Sequence, residues 1–470
     1  MYTSSKTIYI RPSQCCIMIL VILLIFSAVQ VNTANAQEAG TAQPNTQDIV
    51  IKISQLLSER KYSDALLLFN DINSEDSANP QILLIKASIY NSAGQSAKAR
   101  GIVNEILKLQ PENTEALLIL AASAAIEGKD KERKTLLEQV IKIDPANVNA
   151  LCDLGYIAIQ NKSLKTAGSY FDKALAADSK NGEALVGRAM VCRYSSEPKK
   201  AEQLLNKAIE LYPAWASPLH ERARLYRSAD YLKDALADLN AAKKLEPDNY
   251  WISTDRGMIL VDLSLKQEAL EEFSHAISLK QDAFLAYVYR AGIKEEFGDL
   301  DSAAKDYAMI MKIKPDYYFA AEGLGMIKFK KHEWAEARDA FLAAYKYAPK
   351  NYSYVLLAAA SWMRAGNKTD PKQFLAQVLR TVQRDTAEWY MIKLYHDLSG
   401  DIDVSLRMEN EKNIEKKAQM LFYLANYYDI RGNKTIADRY FIQVKELDRQ
   451  STPEWQLNEW FIQLRGLSYN

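Results

Sequence analysis

Six prolines, Pro111, Pro145, Pro213, Pro247, Pro315 and Pro349, are separated by 34 residues or by a multiple of 34. An internal period of that length decides the architecture before any single segment is read. With these prolines at position 32, repeats begin at residues 46, 80, 114, 148, 182, 216, 250, 284, 318 and 352. Positions that played no part in setting the frame obey it. Position 8 reads Ile53, Ala87, Ala121, Gly155, Ala189, Ala223, Gly257, Ala291, Gly325 and Ala359, small in nine of ten. Position 20 is alanine in eight of the first nine repeats, with Arg133 the exception. Position 24, from Phe69 to Leu375, is always large and apolar.

Packing explains these residue types. Two antiparallel helices approach closely only where side chains are small, which is the role of positions 8 and 20. Large residues at position 24 fill the space beside that contact. Proline at position 32 stops the second helix and turns the chain into the next repeat. One helix pair cannot bury its apolar face alone, so neighbours must stack into an all-α solenoid. A chain of 470 residues also exceeds the size of one compact core, which suits an extended array.

Period and signature resemble the tetratricopeptide repeat family, shown well by the eighth unit, FLAYVYRAGIKEEFGDLDSAAKDYAMIMKIKPDY at 284–317. The resemblance covers 46–385 without a break in phase. It implies a right-handed superhelical solenoid of antiparallel helix pairs, with about eleven repeats counting one at 418–451. Between them, 386–417 reads as an irregular helical insert, and 453–470 as a capping helix and tail. The stretch AQMLFYLANYYDIRGNKTIADRYFIQVKELD is similar to the final repeat of periplasmic tetratricopeptide lipoproteins of the NlpI kind, which implies an adaptor for cell-envelope enzymes.

The first 45 residues stand apart. Lys6 and Arg11 precede an apolar core from Ile17 to Val31, and Ala34-Asn35-Ala36 offers a small-x-small cleavage site. This is the layout of a secretory signal peptide at 1–36, followed by a flexible polar leader at 37–45. The expected location is therefore outside the cytoplasm, periplasmic or secreted. The alternative is a membrane-anchored accessory subunit of a secretion or polysaccharide-export machine, held in the inner membrane by an uncleaved N-terminal helix. Cys15 and Cys16 precede the apolar core, so the lipobox arrangement is absent.

Composition narrows function further. Bases and acids balance at 59 each, which excludes nucleic acid as the main partner. The four histidines, His220, His275, His332 and His396, are scattered over the repeats, and no HExxH, GxxxxGK[ST], GxSxG or GxGxxG occurs. The reading is accordingly no enzyme, no metal and no cofactor, with a protein or extended peptide as partner.

The resemblance implies that the first helix of each repeat lines a concave face, with positions 2, 5, 9, 12 and 13 open to ligand. In repeats four to seven these include Tyr156, Met190, Arg193, Tyr194, His220, Arg224, Arg227, Trp251 and Met258. Aromatic, methionine and arginine side chains are enriched in protein-binding hot spots. A second arginine set, Arg188, Arg222, Arg256 and Arg290, occupies position 7 in four successive repeats. Acids at position 23 accompany the last three (Asp238, Glu272 and Asp306), which predicts internal ion pairs rather than an anion-binding stripe. Cys152 and Cys192 fall at different heights on successive first helices, so no disulfide is expected between them.

Overall fold

The computed structural model describes residues 46–447 and 451–467. The segments expected to be a signal peptide and a leader, 1–45, lie outside the described residues. Among the described residues the secondary structure is helical, an all-α repeat solenoid in which consecutive helices pair and stack within each of two compact units. The chain forms two compact units, one up to Glu246 and the other from Pro247 onward, divided at the proline that closes the sixth repeat.

Each repeat is built from local signals at fixed positions. Asparagine at position 34 caps the next first helix: Asn79, Asn113, Asn147, Asn181, Asn249 and Asn351 each accept a backbone N–H through the side chain. The turn between the helices needs one left-handed residue, and it always falls at position 15. Arg60, Gly94, Gly128, Lys162, Ser196, Asp230, Ser264, Gly298, His332 and Gly366 hold it, with φ from 57° to 84°. Only four are glycine, so stacking on neighbours sustains the geometry where the side chain disfavours it. Second helices such as Pro198–Leu211 and Leu232–Leu245 stop two residues before the position-32 proline. The intervening residue is driven out of helical geometry by the proline ring that follows it.

The small residues do what the period requires. Ala65, Ala99, Ala167, Ala201, Ala235, Ala269, Ala303 and Ala337 are fully buried between paired helices. At Gly257 and Gly325 a Cβ would stand within 3 Å of the Phe273 and Phe341 rings, the position-24 residues of the same repeats. Arg133, the exception at position 20, is buried and reaches Asp153 at 3.2 Å.

In the second unit, residues 386–417 hold the helices Ala387–Asp397 and Asp401–Asn410 and the start of Ile414–Ile430. Leu398 and Gly400, both with positive φ, make the sharp turn between the first two. Lys434–Glu446 and Pro453–Arg465 follow. One apolar core runs from Met326 and Phe329 through Leu357 and Tyr423 to Phe461 and Ile462.

Candidate protein-binding surface

Side chains of the first helices differ in how far they reach solvent. Position 5 is buried in four successive repeats, at Cys152, Val186, His220 and Thr254, because it faces the seam between adjacent first helices. Tyr156 and Met190, at position 9, are buried for the same reason. The expectation that Tyr156, Met190 and His220 lie open to ligand is therefore corrected: they pack the array. Other residues expected on that face do reach solvent. Arg193 and Arg227 at position 12, Tyr194 at position 13 and Arg224 at position 9 are half-buried and reach the surface of the first unit. Trp251 and Met258 are half-buried in the second unit.

The arginines of this surface are not independent. Glu221, itself buried, accepts from Arg193 Nη2 at 3.1 Å and from Arg224 Nη1 at 2.7 Å. Burial pushes the Glu221 carboxyl up, but Arg224, Arg193 and His220 outweigh it and hold the group below its ordinary value. The Arg193 guanidinium also lies 4.4 Å from the centre of the Tyr194 ring. Glu221 was missed in sequence, although its i,i+3 spacing to Arg224 was readable; the reach from Arg193, one repeat earlier, was not.

Position 7 behaves as its acids predict. Arg222 forks onto Asp238 with two 2.7 Å bonds, Arg290 forks onto Asp306, and Arg256 pairs with Glu272. Two of these arginines also reach position 25 of the preceding repeat: Arg222 to Asn206 at 2.7 Å and Arg290 to Ser274 at 3.1 Å. Repeat five carries Leu204 at position 23, and Arg188 pairs instead with Asp172, at position 25 of the preceding repeat, at 2.7 Å. Arg188 also donates to the sulfur of Cys192. Cys152 and Cys192 are both free and buried.

Tyr156 links repeats four and five. Its hydroxyl donates to the Glu183 carboxylate at 3.0 Å and to the Glu183 backbone oxygen at 3.2 Å. Burial pushes the Glu183 carboxyl up to about 7, with the Tyr156 hydrogen bond opposing and Asp153 adding to the rise. A carboxyl raised in the folded chain binds its proton more tightly there than in the unfolded chain. Its contribution to stability is complete below the ordinary value of 4.5 and is lost as pH rises through about 7. The loss amounts to about 3 kcal/mol. Glu183→Gln should therefore gain on the wild type between pH 5 and pH 8, read as the difference in their denaturation midpoints. Parallel pH profiles would contradict the assignment.

Among the described residues no group of three or more His, Cys, Asp or Glu side chains is arranged to hold a metal ion. No helix among them is long and apolar enough to cross a membrane.

Residues 56–123 match the family described as tetratricopeptide repeat, and 114–329 match the ETO1 C-terminal domain. The chain is a tetratricopeptide-repeat protein. No curated protein matches it. Among solved structures, the APC/C hetero-tetramer Cut9–Hcn1 is similar at 15% identity, over 73% of this chain and 68% of that one, with a TM-score of 0.50. A tetratricopeptide repeat protein from Parabacteroides merdae is 19% identical over 52% of this chain and 96% of its own, with a TM-score of 0.42. The PilF protein of Pseudomonas aeruginosa is 18% identical over 44% and 94%, with a TM-score of 0.40. At these identities the likeness is one of fold. Tetratricopeptide arrays are generally non-catalytic interaction scaffolds, and this one is suited to binding proteins.

Proposed function

We propose that this tetratricopeptide protein is an exported adaptor of the cell envelope that holds an extended segment of a partner protein on the first helices of repeats five and six. The observation that carries the reading is the Arg193–Glu221–Arg224 cluster. Two guanidinium groups meet on one buried carboxylate, and the Arg193 group lies over the Tyr194 ring. Such a pairing of cation and aromatic ring suits an acidic, extended polypeptide. The export part rests on the n-region, apolar core and Ala34-Asn35-Ala36 of the N-terminal sequence.

Two measurements on the full chain in its native host test the two parts. Mass spectrometry should find a mature N-terminus at or near Gln37; an intact Met1 in the membrane fraction would favour the anchored alternative. A photo-crosslinking amino acid at Tyr194 should capture one partner, whereas the same probe at the exposed Tyr231 should not. Arg227→Glu should reduce the Tyr194 adduct several-fold. Capture at Tyr231 with none at Tyr194 would place the partner elsewhere.

A further inference from the structure

The last helix, Pro453–Arg465, does more than cover the end of the array. It packs on both helices of the repeat before it, Ile414–Ile430 and Lys434–Glu446, and also reaches back to the first helix of repeat nine, Tyr318–Lys330. Phe329 of repeat nine meets both Trp460 and Phe461, each with 6.3 Å between ring centres. His332 lies 5.6 Å from Trp460. Arg364, from repeat ten, lies over the Phe461 ring at 5.0 Å. The helix thus sits in a groove walled by three repeats, with the ring pair Trp460-Phe461 as its peg and Arg465 tied to Asp429 and Asp438 at its C-terminal end.

The same region carries buried polar atoms that have no hydrogen-bond partner among the described residues. Glu454 is 1% exposed. One of its oxygens accepts from the Tyr423 hydroxyl at 2.7 Å, and the other finds no donor among the described residues. Among those residues no cation pairs with it. Asn458 donates to the Phe441 carbonyl, but its own side-chain oxygen is buried without a partner. On the helix beneath, Asn426 Nδ2 is in the same condition. Unpaired buried polar atoms, above all on a carboxylate, weaken the docking that contains them.

We propose that Pro453–Arg465 is a releasable resident of this groove, and that the groove accepts in its place an amphipathic helix of a partner protein. The occupant it fits carries two adjacent aromatic residues for Phe329 and His332, and a basic residue one turn later for Asp429 and Asp438. A neutral side chain where the resident has Glu454 favours the incoming helix. This is helix-in-groove recognition with the chain's own terminus as the competitor. It concerns the second compact unit and is independent of the surface at Arg193 and Arg224.

The test uses the full wild-type chain and a fluorescent synthetic peptide of residues 451–467 carrying Glu454→Gln. In the chain alone, amides of Pro453–Arg465 should exchange at least ten-fold faster than those of Tyr352–Arg364 and Ile414–Ile430. The peptide should bind at micromolar concentration and speed exchange of the resident helix. A version that also carries Trp460→Ala and Phe461→Ala should bind at least ten-fold more weakly. Exchange of all three helices at one common rate would make the last helix an inseparable part of the core, and would overturn the proposal. So would failure of the peptide to bind. Concentration-dependent dimers that exchange this helix would name a second copy as the occupant and overturn the partner assignment.

Discussion

Replacing Arg193 and Arg224 together with alanine is expected to destabilise repeats five and six by about 3–5 kcal/mol, the usual cost of stranding one member of a buried ion pair. The acid left behind, Glu221, is 6% exposed and accepts a hydrogen bond from each of these two arginines, one to each oxygen. The sequence places these arginines among positions open to ligand, and the loss of a solvated surface side chain usually costs little stability. The structure reverses that forecast, because a carboxylate between two successive first helices has to be neutralised where it lies. Adding Glu221→Gln to the double variant should recover more than half of the loss, since the neutral amide no longer demands a cation. Hydrogen exchange is the suitable readout, because units of a solenoid couple mainly to their neighbours and the damage should stay local. Unchanged protection over 182–228 in the double variant would mean that Glu221 is solvated. A binding experiment at this surface is better made with Arg227 or Tyr194.

The second large effect centres on Phe171, where Phe171→Ala should cost about 3–5 kcal/mol. The ring is fully buried in repeat four, with Tyr156 edge-on at 5.2 Å. It is also clamped between two glycines of successive first helices. A Cβ on Gly155 would lie 2.6 Å from the ring, and one on Gly187 only 2.2 Å. Gly187→Val in the wild type should therefore overpack the site, by about 1–3 kcal/mol or more. The two changes should not add. Removing the ring opens the space that the valine side chain needs, so the double variant should be clearly more stable than the sum of the single losses. Additive losses in chemical denaturation would show that Gly187 is needed for some reason other than the ring.

Gly155 was legible as a position-8 residue; Gly187 was not. It occupies position 6, where the period makes no demand, and its role appears only when the ring of the preceding repeat is placed against it. The same division runs through the binding surface. The chemistry at positions 12 and 13 was readable, and Arg193, Tyr194 and Arg227 do reach the surface. Tyr156, Met190 and His220 were assigned to that surface and instead pack the seams. Position alone could not separate open from closed, because position 9 is buried in repeats four and five and half-buried in repeat six.

What the sequence by itself determined is whatever repeats every 34 residues. The helix pair, the alanines between its halves and the prolines that end the second helices are local or nearest-neighbour effects. The ladder from Arg222 to Arg290 belongs with them, because each arginine and its acid lie 16 residues apart in the same repeat. The tertiary structure decided whatever links residues of different repeats. Arg193 reaching Glu221 across 28 residues is one case, and Arg364 reaching Asp429 across 65 is another. The return of Pro453–Arg465 onto repeat nine is the longest of these, more than a hundred residues from Phe329 to Trp460. A period records which residues each repeat needs for itself. It holds no record of where a terminal helix finds free apolar surface, since that depends on three repeats already being stacked.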